Sequence, residues 1–309
     1  VTEDAEGPKV GQLDTAETAV VRSGRRQPTQ ADGSVEGYRA KRTLPVRVEL
    51  ARQLRRRRTR LALGFLAVLP FLLLLAFELG DDGGQRGRTL ADIATASGLN
   101  FAVFTLFAST NFLLVVVVAL FFGDTVASEA SWASLRYLLA APIPRTRLLR
   151  QKAVVSALLA GFGLVLLSAV ALGVGLLWYG SGDLVSTTGE AVPFPTGVVS
   201  IAAATVYLAV HLTWIAGLAL FLSVSTDAPL GAVGGAVVVS ILSEILDQIT
   251  ALGDLRNYLP THYSTAYSDL LGHDVDWTAM THGAFSGLAY AAVFGALAIW
   301  RFNRKDITS

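Results

Sequence analysis

The chain has 309 residues and a formal net charge of +1, with 52% hydrophobic and only 16% charged residues, where a soluble domain carries about a quarter. It contains no cysteine, which excludes disulfides, thiolate metal centres and cysteine nucleophiles. The missing charge is concentrated in long runs without Asp, Glu, Lys or Arg, and these define an all-α membrane protein with six transmembrane helices. Strands of a membrane barrel would alternate every second residue, and Val115 to Leu120 or Leu164 to Leu172 do not.

Residues 1–43 are rich in Glu, Asp, Gly, Ser, Thr and Arg, with few large apolar side chains. Such a segment cannot bury enough surface to offset its ordering entropy, so it reads as a disordered cytoplasmic tail. Residues 44–309 read as one transmembrane domain. Its first piece, LPVRVELARQLRRRRTR from Leu44 to Arg60, spaces Val46, Leu50 and Leu54 every fourth residue. That pattern predicts a basic amphipathic helix lying along the headgroup layer.

The spans are expected at about 61–79, 99–122, 153–178, 198–222, 229–250 and 282–300. Pro70 lacks a backbone donor and should kink the first. A short amphipathic stretch near Leu90 to Ala96 precedes the second, and Ala251 to Met280 forms a polar and aromatic connection before the last. The apolar runs begin only at Leu61, so no cleavable signal peptide is expected.

Basic residues orient the bundle. Positions 41–60, the loop after the second span and the end after Trp300 together hold seventeen Lys and Arg, against three in the other loops. The positive-inside rule then puts both termini in the cytoplasm of a multi-pass plasma-membrane protein. Trp178, Tyr179, Trp277 and Trp300 fall at span ends, as interfacial anchors do.

Catalytic signatures are missing. Lys9, Lys41, Lys152 and Lys305 are the only lysines, and none follows a glycine, so there is no phosphate-binding P-loop. The histidines lack ligand spacing, and no nucleophile elbow occurs. The chain is expected not to be an enzyme, and to hold no cofactor or metal of its own. His211, in the fourth span, reads either as a relay or ligand or as a residue bonding a neighbouring helix.

Intramembrane charge reads as confined to Glu244 and Asp247. From Pro229, fifteen residues at about 1.5 Å each put Glu244 roughly 22 Å across, in the outer half. With His211 these carboxylates are candidates for a translocation path or gate; the alternative is a residue snorkelling at the outer rim. Gly231 and Gly235 in the fifth span, like Gly283 and Gly287 in the sixth, permit close helix approach. The first pair is a candidate subunit interface.

The loop after the second span reads SEASWASLRYLLAAPIPRTRLLRQK from Ser128 to Lys152. Here the chain resembles the permease subunit of ABC-2-type transporters, the group that includes daunorubicin-resistance and sodium-export-type permeases. In that family a glutamate precedes a Gly-Thr-Leu stretch, a short apolar helix, a Pro-x-Ser-Arg and a lysine opening the third span. Glu129, Ala133-Ser134-Leu135, Pro142-Ile143-Pro144-Arg145 and Lys152 occupy those places. Ala133, Ser131 and Pro144 replace a family glycine, glutamate and serine. The ending Phe302-Asn303-Arg304-Lys305-Asp306 and the basic helix before the first span also fit.

The resemblance implies an exporter of ABC-2 type; spans this apolar offer little to a strongly polar solute, so the expected substrate is amphipathic or lipophilic. The exporter would contain two such permeases, identical or paralogous, and two copies of an ABC ATPase subunit that binds ATP and Mg. No nucleic-acid partner is expected. Glu129, Leu135, Arg136, Pro142, Pro144, Arg145 and Lys152 would form the ATPase-coupling elbow, with Arg136, Arg145 and Lys152 touching the ATPase or lipid headgroups. The other readings are an ion-coupled secondary transporter using Glu244 and Asp247, and a membrane scaffold that transports nothing.

Overall fold

The computed structural model describes residues 45–80, 90–132, 144–186, 191–272 and 275–305. The tail expected over 1–43 lies outside the described residues, as do Leu135, Arg136 and Pro142. Six helices are long and apolar enough to cross a membrane: Arg57–Leu79, Gly98–Ser131, Arg145–Tyr179, Phe194–Ser225, Pro229–Asp247 and Trp277–Arg304. The protein is an all-α membrane protein by that measure, with the expected count and order of spans.

Several spans outrun the hydrocarbon. The third, α6 (Arg145–Tyr179), has 35 residues, about 52 Å at 1.5 Å per residue, whereas the apolar layer is about 30 Å thick. Its charged first turns, which the sequence suggested as a loop, are helix. The second span likewise continues past Phe122 to Ser131. One end of the bundle therefore carries a helical, strongly basic collar.

Helix α1 (Val46–Arg55) precedes α2 (Arg57–Gly80), which contains Pro70 without ending there. The face that α1 buries is polar, Glu49 and Gln53, while Val46, Val48 and Leu54 are exposed. An interfacial helix gains from this arrangement: ions meet ions on the protein side, and apolar side chains are left to the acyl region.

A short α3 (Leu90–Ala94) leads to the second span, α4 (Gly98–Ser109) and α5 (Val115–Ser131), joined by a π-helical turn at Thr110–Leu114. The turn has a local cause. Thr105, Ser109 and Thr110 each donate a hydroxyl to the carbonyl four residues back, on Phe101, Thr105 and Leu106. Such back-bonding competes with the helical ladder.

The fourth span is also interrupted. α7 (Phe194–His211) and α8 (Thr213–Ser225) meet at Leu212, where Thr213 caps the Val210 carbonyl at 2.6 Å. α9 (Pro229–Asp247) and α10 (Trp277–Arg304) complete the bundle. A hairpin of β1 (Leu184–Val185) and β2 (Ala191–Val192) lies between α6 and α7, held where Asn100 bonds both the N–H and the carbonyl of Val185.

Glycines set the closest crossings. A Cβ on Gly98 would lie 2.6 Å from the Gly175 backbone, so α4 and α6 touch main chain to main chain. Gly287 of α10 packs on His211, where a Cβ would come 2.8 Å from the His211 carbonyl oxygen. By contrast α9 packs through Ala232, Ala236, Ser240 and Ser243, and Gly231 is exposed with no close main-chain neighbour. The small-residue stripe of α9 that holds this fold is one position along from the Gly231–Gly235 pair.

The connection after α9 is more than a loop. Two 3-10 helices, Thr250–Tyr258 and Ala266–Leu271, fold back against the bundle, and Thr261, Ser264, Tyr267 and Leu270 are buried. Tyr207 and Tyr290 fasten the segment through the carbonyls of Tyr263 and Tyr258.

Candidate functional site

Two polar sites stand out among the described residues, and α5 connects them. At the basic end, Glu129 and Lys152 are 4% and 3% exposed, with Lys152 Nζ 2.6 Å from Glu129 Oε1. Arg52 Nη2 reaches the same oxygen at 2.7 Å and Glu49 Oε1 at 2.8 Å. Gln53 donates to Glu49 at 3.2 Å, and Lys152 lies 3.8 Å from it. One turn away, Asp124 pairs with Arg56 Nη1 at 3.1 Å and with Arg58. Two ionic clusters on α5 thus tie it to α1 and α6 through Glu129 and to the start of α2 through Asp124.

Burial alone would raise the pKa of Glu49; bonding by Arg52, the charge of Lys152 and the Gln53 amide hold it below its ordinary value. Arg52, against burial, is held above its ordinary value by Glu49 and Glu129.

These positions give the expected coupling residues contacts within the chain. Lys152 was expected to contact an ATPase or headgroups, but it is buried and spends its charge on Glu129. Arg145 Nη1 donates to the carbonyls of Asn303 and Lys305 at 3.1 and 3.0 Å, capping the end of α10. Lys305 in turn bonds the Val224 carbonyl and Asp227, capping α8. Pro144 is the exposed N-cap of α6. Asp124 and Glu129 belong to the same continuous helix as the second span, past its apolar run. A helix that runs two turns past the apolar run was the missed signal.

The second site lies toward the opposite end, where the π-helical turn, the Leu212 break and α9 converge. A cavity of about 10 Å³ is lined by Thr110, Asn111, Val115, His211, Leu212, Trp214, Ser240, Glu244, Thr261 and Ser264. Asn111 Nδ2 donates to Glu244 Oε1 at 2.7 Å, Ser243 and Thr261 share a hydrogen bond of 2.7 Å, and Thr110 lies 3.3 Å from the Tyr267 hydroxyl.

Leu212 also borders a second cavity of about 100 Å³. Its lining is apolar apart from Thr213 and includes Leu66, Leu114, Phe122, Ala160, Leu164 and Ala216. Interrupted helices bordering a cavity within the membrane are a recurrent way to build a binding site, because irregular backbone is tolerated where it lines a cavity.

The three path candidates separate here. Glu244 and His211 line the same small cavity. His211 is buried, its Nδ1 lies 3.4 Å from the Gly283 carbonyl oxygen, and its ring stacks on Tyr207; the helix-bonding alternative describes that contact. Asp247 lies elsewhere, bonded to His262 at 2.6 Å with Arg256 at 3.6 Å. Asn111, Ser240, Thr261 and Ser264 were not anticipated. The Ser109-Thr110-Asn111 triplet inside an uncharged span was the available sign.

No curated protein matches the chain. Residues 88–308 match the family described as "Protein of unknown function (DUF2705)", and the chain belongs to that family. The matched segment takes in both polar sites except for Glu49, Arg52, Gln53, Arg56 and Arg58.

Proposed function

We propose that this chain is the membrane-spanning subunit of an ABC-2-type exporter, powered by a separate ATPase that binds ATP and Mg. It would sit in the plasma membrane with both termini in the cytoplasm, beside a second permease copy or paralogue. The observation that carries the reading is the path of α5. This helix runs from the π-helical turn beside Glu244 to Asp124 and Glu129 in the basic collar. Force applied at the collar would move α1, α5 and α6 as one body and reach the cavities through a rigid helix.

Within this reading Glu129 and Lys152 are positioning residues that hold the collar together. The partner surface is then the exposed part of the same end, including Trp132 at 80% exposure. The apolar cavity beside a polar one suits an amphipathic or lipophilic substrate.

The test is purification of the chain from its native membranes in mild detergent, followed by Mg-ATP hydrolysis by the purified material. Co-purification of a P-loop ATPase in equal numbers, with hydrolysis altered by Trp132→Ala, is expected. A chain that never brings an ATPase with it would sink the reading. The Glu244 cavity also favours a second reading, an ion-coupled secondary transporter, which predicts transport by the lone chain in vesicles under an ion gradient.

A further inference from the structure

The arginines around the junction of α1 and α2 divide into two sets. Arg52, Arg56 and Arg58 are engaged with Glu49, Glu129 and Asp124. Arg47, Arg55, Arg57 and Arg60 are exposed, and among the described residues none of their side chains has a hydrogen bond or an ion pair. Like charges crowded on one short stretch repel each other, and an anion beside them relieves that repulsion.

The setting of the free arginines identifies the anion. Helix α1 ends and α2 begins around Arg56, whose backbone is extended. Thr59, Leu63, Leu66 and Pro70 are buried and mark the face of α2 turned to the bundle. At about 100° per residue, Arg57 falls on the opposite face, in line with Leu61, Val68, Leu72 and Leu75. All four of these apolar side chains are exposed, and Arg60 flanks Arg57. On α1, Arg47 and Arg55 stand with exposed Val48 and Leu54, away from the face of Glu49 and Gln53. The stripe from Leu61 to Leu75 is about 21 Å long at 1.5 Å per residue, enough for the chains of one leaflet, half of about 30 Å. A cluster of free guanidiniums at the head of an apolar stripe matches a molecule with an anionic head and long apolar chains. An acidic protein surface would match the arginines and leave the stripe unexplained.

We propose that Arg47, Arg55, Arg57 and Arg60 form a binding site for anionic phospholipid. The guanidiniums hold the phosphate by charge-assisted hydrogen bonds, and the acyl chains lie along Leu61, Val68, Leu72 and Leu75. Occupancy bears on the collar, because Arg56 and Arg58, which hold Asp124, alternate with Arg55 and Arg57. A headgroup there relieves repulsion that opposes the inner pairs. The inference rests on the membrane-spanning fold and not on ATP-driven export; it holds equally for a chain that recruits no ATPase.

The test uses the full chain reconstituted in phosphatidylcholine vesicles with a trace of spin-labelled lipid. The motionally restricted fraction of labelled phosphatidylglycerol should exceed that of labelled phosphatidylcholine by about threefold or more at low salt, and the excess should shrink as salt rises. R57Q/R60Q should remove more than half of the excess and leave phosphatidylcholine contact unchanged. R301Q/R304Q takes the same charge from the exposed last turn of α10 and should remove less. If R57Q/R60Q does not reconstitute, Arg57→Gln alone decides against Arg301→Gln. Equal restriction of the two lipids by the unsubstituted chain would overturn the proposal and leave the arginines to an acidic protein partner. Equal losses from the two pairs would also overturn it, by reducing the preference to general surface charge. So would a preference that survives R47Q/R55Q/R57Q/R60Q.

Discussion

The basic collar and the Glu244 cavity are both polar regions of a membrane bundle, and they treat their polar groups in opposite ways. In the collar three carboxylates meet four cationic side chains across helices, and Glu129 and Lys152 are closed off from solvent. Around Glu244 neutral hydrogen bonds from Asn111 and between Ser243 and Thr261 replace ion pairs, the backbone is irregular in two of the surrounding helices, and space remains. A saturated ionic network resists rearrangement, since moving one member strands a charge. A polar cavity between irregular helices is suited to binding. The difference assigns rigidity to one end of α5 and ligand chemistry to the other.

The strongest way to break this contrast is Lys152→Met. Removing one member of a buried ion pair typically costs about 3–5 kcal/mol, because the remaining carboxylates keep their desolvation cost without the compensating charge. Thermal unfolding in detergent should show a large loss, with partial recovery in Lys152→Met/Glu129→Leu. A loss no larger than that of Glu244→Gln would erase the distinction between the two regions.

Gly287→Val should come next, at about 1–3 kcal/mol or more, since the side chain would enter the space held by the His211 main chain. It should also disturb the cavity wall. Unchanged thermal unfolding in this variant would show that α10 does not press on His211 this closely.

A smaller effect should follow pH at the collar. Glu49 is held below its ordinary value of 4.5, so its contribution to stability is complete above that value. The contribution disappears as pH falls through the lower, folded pKa. Amide exchange in α1 should therefore accelerate, after correction for intrinsic rates, below about pH 4, before exchange in α5 does. Simultaneous acceleration of the two helices would mean that α1 does not open on its own.

The smallest effect is expected from Gly231→Ala, within about 0.5 kcal/mol, because a Cβ there meets nothing closer than Ala228 Cβ at 3.6 Å. Its value lies in assembly. A change of oligomeric state without a change in monomer stability would mark Gly231 as the candidate subunit contact.

The spans and the collar's basic character were legible because each is a property of consecutive residues. Six uncharged runs became six helices, and Trp178, Trp277 and Trp300 are exposed at helix ends. Individual side-chain roles were much less legible. Val46, Leu50 and Leu54 marked α1 as amphipathic, yet its docking face is Glu49 and Gln53. The same holds for the folded-back segment, whose Thr261, Ser264 and Tyr267 look like loop residues until they are buried.

The sequence by itself determined the class of the protein, the number of its crossings and which end is basic, because transfer of apolar side chains into lipid is decided segment by segment. Only the tertiary structure decided that Arg52 meets Glu129, 77 residues away, and that Asn111 meets Glu244, 133 residues away. A charge or hydroxyl has no fixed meaning in a linear chain. Its meaning comes from the groups that surround it once water is excluded, and packing alone brings those groups together.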